Sequence, residues 1–95
     1  MAKVVVTPTA AADLAALIRT HSLPADTPSR FKRSVAALSR FPLIGAPLLG
    51  PWSNYRFMLG PWRWMIVVYV YVEHADRVAI VTIQDARSSR AATSA

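Results

Sequence analysis

The chain has no cysteine among its 95 residues, which excludes disulfides, thiolate metal sites and a cysteine nucleophile and suits a reducing compartment. Glycine is scarce as well, with only three, so there is no glycine-rich phosphate-cradling loop. Acidic residues number five against eleven Lys and Arg, leaving a formal charge of +6. No apolar run approaches the roughly 20 residues of a membrane-spanning helix. The amino-terminal MAKVVVTPTA also lacks the apolar core of a secretory signal, so a cytoplasmic protein is expected.

What is present is apolar. Hydrophobic residues make up 54% of the chain and charged ones 17%, a composition that requires a packed interior. Its length suits one domain, expected over residues 1–87, with a small polar tail at 88–95 expected to be flexible. Nine of the eleven basic residues are Arg, whose planar guanidinium forks onto phosphate or carboxylate. Such an excess favours an acidic or polyanionic partner, although solubility alone would also account for it.

Lys3 to Thr7 reads as a β-branched strand, ended by Thr7-Pro8, a cap-then-proline pair that opens a helix. From Pro8 to about His21, Ala10, Leu14, Leu17, Ile18 and His21 recur at helical spacing. Leu23-Pro24 stops that helix and Asp26-Thr27-Pro28 starts a second, with Phe31, Val35 and Leu38 on its apolar stripe and Phe41-Pro42 at its end. The short connection predicts an antiparallel helical hairpin. The stretch PLIGAPLLGPW carries three of the seven prolines and two glycines, hence a loop, with Leu43, Ile44, Leu48 and Leu49 expected over the core. Asn54 to Leu59, Trp62 to Val72 and Arg77 to Gln84 read as a three-stranded meander. Both faces of the middle strand are apolar. The helices are expected to cover one face, and the surplus on the other points to a partner. The predicted fold is therefore α+β: an N-terminal strand and a two-helix antiparallel hairpin packed on an antiparallel sheet of about four strands. LGPW occurs twice, at Leu49–Trp52 and Leu59–Trp62, which reads as reused turn chemistry.

Four segments, in order, resemble toxins of the RelE/ParE superfamily. VVVTPTAAADLAALI is similar to that family's strand and helix start at Thr7, Ala10, Asp13 and Leu14. LSRFPLIGAPL is similar to its helix end at Leu38, Pro42 and Gly45. YRFMLGPWRWMIVVYVYV is similar to its Arg-bearing strand, turn and Tyr-bearing strand at Arg56 and Tyr69. VAIVTIQDARSS is similar to its last strand and Arg at Arg87. The resemblance implies a toxin of a type II toxin–antitoxin pair, neutralised by an acidic antitoxin, whose target is DNA gyrase in one branch and ribosome-bound mRNA in the other. No cofactor or metal is implied.

The residues favour the gyrase-directed, ParE-like branch. RNA cleavage needs a base and an acid besides cations, and Arg, whose very high pKa keeps it protonated, is a poor base. His21, at a helix end, and His74, in a polar turn, read as structural or solvated. Met58 and the tail SSRAATSA stand where the endonuclease branch carries further catalytic types, while Gln84 stands where the gyrase branch commonly has His. If the chain were a nuclease, Arg56, Arg63 and Arg87 would be its cations. The expected target-binding set is Arg56, Arg63, Arg87, Tyr55, Trp62 and Trp64, an aromatic-basic patch; Trp62 and Trp64 would serve equally to clamp the hairpin. Leu17, Phe31 and Val35 are the expected antitoxin contacts.

Overall fold

The computed structural model describes residues 1–87, so the expected tail at 88–95 lies outside the described residues. In chain order come β1 (Lys3–Val6), α1 (Pro8–Thr20), α2 (Thr27–Val35), β2 (Ala46–Pro47), β3 (Arg56–Leu59), β4 (Met65–Val72) and β5 (Arg77–Asp85). Turns of 3₁₀ helix occupy Ala36–Ser39, Gly50–Trp52 and Glu73–Ala75. The strands form one sheet in the order β1-β5-β4-β3-β2.

The architecture is α+β as expected, with five strands where about four were predicted. One pairing departs from an all-antiparallel sheet. β1 runs parallel to β5, Lys3 opposite Arg77 through Val6 opposite Ile80, whereas every other pair is antiparallel. The extra strand is the two-residue β2, which pairs with β3 through Ala46 and Pro47. Proline is tolerated there because β2 is an edge strand.

Thr7 ends the first strand and starts the first helix through one hydroxyl. Its Oγ1 accepts from the Ala10 N–H at 3.3 Å and donates to the Ile80 carbonyl at 2.8 Å. Past Val6, β5 has no strand beside it on that side, and α1 takes over. The Asp13 carboxylate accepts from Thr82 Oγ1 at 2.6 Å and from the Ile83 N–H at 3.2 Å, next to a break in register between Val68 and Tyr69. A carboxylate thus stands in for the missing strand and satisfies backbone that would otherwise be orphaned.

β4 is central, and its alternation sorts two cores. Met65, Val67 and Tyr69 are fully buried on the helical side with Leu14, Phe31, Val35, Leu38, Val78 and Ile80. Removing side chains of that size from water contributes roughly 1.5–3 kcal/mol each. On the opposite face Ile66 and Val68 pack on Leu48, Tyr55, Phe57 and Val81. The cover expected from a partner is therefore supplied in part by the chain's own proline-rich segment.

That segment corrects a second expectation. Of the four aliphatic residues predicted to lie over the core, only Leu48 is buried; Leu43, Ile44 and Leu49 are 57%, 60% and 87% exposed. The backbone explains it, because Leu48 donates its N–H to Tyr55 at 2.9 Å and is drawn inward, while its neighbours turn out. The second helix is also shorter than its apolar stripe implied, tightening into the 3₁₀ turn after Val35; Leu38 remains buried from that turn. Asp26 makes no side-chain cap; it pairs with Arg30 at 3.0 Å instead, and Thr27 Oγ1 donates to the Pro24 carbonyl at 2.6 Å.

Candidate functional site

The turn joining β3 to β4 is closed by Gly60 N–H to Met65 O at 2.9 Å and Met65 N–H to Trp62 O at 3.0 Å. Residues 62–64, expected as strand, therefore lie in this turn, and Trp62 and Trp64 come within 6.2 Å of each other at an interplanar angle of 24°. His21, which caps the end of α1, stacks on Trp64 at 4.6 Å and 14°. The Arg87 guanidinium lies 4.9 Å from the Trp64 ring centre and that of Arg30 lies 5.9 Å from Trp62. Cations over indole faces are stabilised by the ring quadrupole.

Asp85 organises this cluster. Its carboxylate meets Arg87 Nε at 3.0 Å and Nη2 at 3.1 Å, and His21 Nε2 at 2.9 Å. The Arg87 guanidinium, and to a smaller extent His21, hold the Asp85 carboxyl far below the usual range. The same pair raises Arg87. His21 Nδ1 faces Thr20 Oγ1 at 2.9 Å and the Leu17 carbonyl at 3.3 Å, so both ring nitrogens are engaged.

The six residues expected to bind the target fall in three places. Trp62, Trp64 and Arg87 share the stacked cluster, with exposed Arg63 on the same turn. Arg56 stands apart, opposite Tyr69, whereas Arg87 follows Asp85, which faces Met65 at the other end of β4. Its guanidinium donates to the carbonyls of Gly45 at 2.7 Å and Leu43 at 3.2 Å, pinning the proline-rich loop. Tyr55 belongs to the second core with Leu48 and Phe57. His21, Asp85 and Arg30 were missed as members of the cluster. The one local signal was Asp85 and Arg87 at i and i+2, which share a side of extended chain.

A second feature is an apolar groove of about 590 Å³ between the two helices. Val4 and Val6 of β1 line it, together with Ala11, Leu14, Ala15 and Ile18 of α1 and Pro28, Phe31, Lys32 and Val35 of α2. Phe31 and Val35, expected to meet an antitoxin, belong to this lining; Leu17 instead packs at the edge of the main core. Among the described residues no group of three or more His, Asp or Glu is arranged to hold a metal ion, and no helix is long and apolar enough to cross a membrane.

This arrangement of strands and helices matches a chain in the crystal structure of the toxin–antitoxin complex RelBE2 from Mycobacterium tuberculosis, with a TM-score of 0.65 and 23% identity. The likeness is one of fold. It covers 88% of this chain and 96% of that one, so the two have nearly the same extent. No family model matches the sequence, and no curated protein matches it.

Proposed function

We propose that this protein is the toxin of a toxin–antitoxin pair of the RelE/ParE kind, held inactive by an acidic antitoxin and acting on DNA gyrase. The observation that carries the toxin reading is the shared fold with a chain of the RelBE2 complex over nearly its whole length. The groove adds to it. A trough walled by Leu14, Ile18, Phe31 and Val35 and bearing Lys32 suits the apolar face of an amphipathic helix whose flanks are acidic. The antitoxin is therefore assigned to this groove, with Phe31 and Val35 as contacts and Ile18 beside them in place of Leu17.

The gyrase reading rests on the state of the titratable groups. In-line RNA cleavage requires a side chain free to take a proton. Among the described residues both nitrogens of His21 are occupied, Asp85 is committed to Arg87 and His21, Asp13 to β5, Asp26 to Arg30 and Asp76 to Tyr71, while Glu73 and His74 lie in the turn between β4 and β5, at the opposite end of β4 from Arg87. A poison acting by contact needs no such group.

Expression of the full chain without an antitoxin is expected to arrest bacterial growth, and the purified protein to inhibit supercoiling by gyrase. Supercoiling that proceeds normally at saturating protein, together with new cuts in translated mRNA, would transfer the assignment to the ribosome-directed branch. Harmless expression of the folded chain would end the toxin reading.

A further inference from the structure

From Phe41 to Tyr55 the chain carries no charged side chain, a run of 15 residues in an otherwise strongly basic protein. At its start Phe41, Leu43 and Ile44 are each more than half exposed, and with Pro42 they border one open hollow of about 490 Å³, so they form a single apolar patch. Packing does not explain it, because none of the three belongs to either core. The patch is also held rigid. Ile44 N–H donates to the Phe41 carbonyl at 3.1 Å and Phe41 N–H to that of Ala37 at 2.8 Å, while Tyr69 and Arg56 fix Gly45 and the Leu43 carbonyl. Arg40 precedes the patch, exposed and, among the described residues, without a carboxylate in ion-pair range. Ala2 N–H donates to the Ser39 carbonyl at 2.8 Å, which brings exposed Lys3 close by as a second cation.

We infer that this turn is a peripheral membrane anchor: Phe41, Leu43 and Ile44 enter the headgroup boundary of an anionic bilayer while Arg40 and Lys3 meet its phosphates. Three observations select that occupant. Backbone that enters lipid must have its polar groups already bonded. Here the N–H and carbonyl of Phe41, the carbonyl of Leu43, the N–H of Ile44 and both polar groups of Gly45 have partners, and Pro42 has no N–H. A second copy of the chain would set Arg40 and Lys3 against their own counterparts, a repulsion that an anionic surface turns into attraction. A peptide adding a strand at the neighbouring sheet edge is obstructed by β2, which has only Ala46 and Pro47 to offer. The groove assigned to the antitoxin is lined by none of the four patch residues. The inference therefore stands apart from the toxin reading, and growth arrest does not enter its test.

Because the chain lacks cysteine, Ile44→Cys accepts a single environment-sensitive fluorophore, and Ala12→Cys, exposed on α1, provides the control. Vesicles of phosphatidylglycerol and phosphatidylcholine in equal parts should shift the emission to the blue at position 44 and leave it unchanged at position 12. Vesicles of phosphatidylcholine alone should bind about tenfold or more weakly. In sedimentation of the unlabelled full chain with the anionic vesicles, Ile44→Asp should weaken binding about tenfold or more and Arg40→Ala about fivefold. Both positions are exposed, so thermal melts of the two variants should stay close to the parent's. Failure of the full chain to sediment with anionic vesicles overturns the inference, as does a label at position 44 that shows no blue shift. So does parental binding by Ile44→Asp, or a loss from Arg63→Ala, on the turn between β3 and β4, equal to that from Arg40→Ala; either would mean general charge attraction. A concentration-dependent dimer that Ile44→Asp dissolves, with no vesicle binding by the parent, would give the patch to a second copy of the chain.

Discussion

His21 Nε2 lies 2.9 Å from Asp85 Oδ2 and thereby ties the cap of α1 to the end of β5 across 64 positions of sequence. The contact makes acid sensitivity predictable. Asp85 has a folded-state pKa depressed mainly by Arg87, so its pairing contributes stability that is fully present above the unfolded Asp value of about 3.9 and is lost as pH falls toward the folded value. Asp85→Asn should lower stability by about 1 kcal/mol near neutral pH, a modest figure because Arg87 is largely exposed and the pair is screened. Near pH 2, still above the folded value, the deficit should have shrunk without vanishing, giving a flatter acid limb. Urea midpoints across that range check this, and a variant whose deficit persists undiminished in acid contradicts it.

Tyr69 is fully buried, and its hydroxyl accepts the Gly45 N–H at 2.8 Å, holding the proline-rich loop to the sheet. Burial raises the Tyr69 phenol above its ordinary value. Tyr69→Phe leaves a buried N–H without a partner and should destabilise the protein by about 1–2 kcal/mol. Gly45→Ala should be worse, at about 2–3 kcal/mol, because its Cβ would stand 2.6 Å from the Phe57 carbonyl and 2.7 Å from the Tyr69 hydroxyl. Gly50→Ala, with open space around it but a φ of +62°, should lose only about 1 kcal/mol through backbone strain. Thermal melts that rank Gly50→Ala below Gly45→Ala would refute this account.

Arg56 sits where the resemblance placed a target-binding cation, yet its guanidinium spans the carbonyls of Leu43 and Gly45. As a solvated charge it would be removable almost without effect on folding. As a loop clamp, Arg56→Ala should lose about 1–2 kcal/mol, and Arg56→Lys should recover part of it, since the single nitrogen Nη1 makes both bonds and an ammonium carries donors enough for two. Hydrogen exchange concentrated in residues 42–48 would identify the clamp, and unchanged exchange there would restore the surface-cation view.

These contacts show which parts of the fold were legible in advance. Thr7-Pro8 and the Ala10–Leu14 spacing located α1 almost to the residue, and the alternation of Met65 to Val70 identified a central strand with two apolar faces. Both signals are local. The parallel pairing of β1 with β5 and the stacking of His21 on Trp64 join segments more than 40 positions apart, and no periodicity within either segment encodes them. Trp62–Trp64 continued the β-branched, aromatic pattern of β4 and so read as strand, but the turn closed by Gly60 and Met65 overrode propensity. For the candidate site, sequence supplied Trp62, Trp64 and Arg87 but grouped them with Arg56 and Tyr55, because only the sheet register separates them. Of the three residues expected to meet an antitoxin, Phe31 and Val35 line the groove, and Leu17, on the same apolar side of α1 as Ile18, does not.

The groove also yields the sharpest test of the proposed antitoxin contact. Ala15 is exposed and lines the groove from α1, so a long cationic side chain there fills the trough without displacing any core residue. Ala15→Arg should therefore leave folding stability within about 0.5 kcal/mol of the parent. If an apolar helix of the antitoxin occupies the trough, steric exclusion should weaken the complex tenfold or more, on the order of 1.4 kcal/mol. Lys32→Glu, on the opposite wall, should weaken the complex through repulsion of acidic flanks, and raising salt should narrow its deficit while leaving that of Ala15→Arg in place. Titration calorimetry of each variant against the antitoxin measures both effects, and co-expression shows whether growth arrest escapes neutralisation. Full neutralisation and parental affinity in both variants would move the antitoxin to another surface of the molecule.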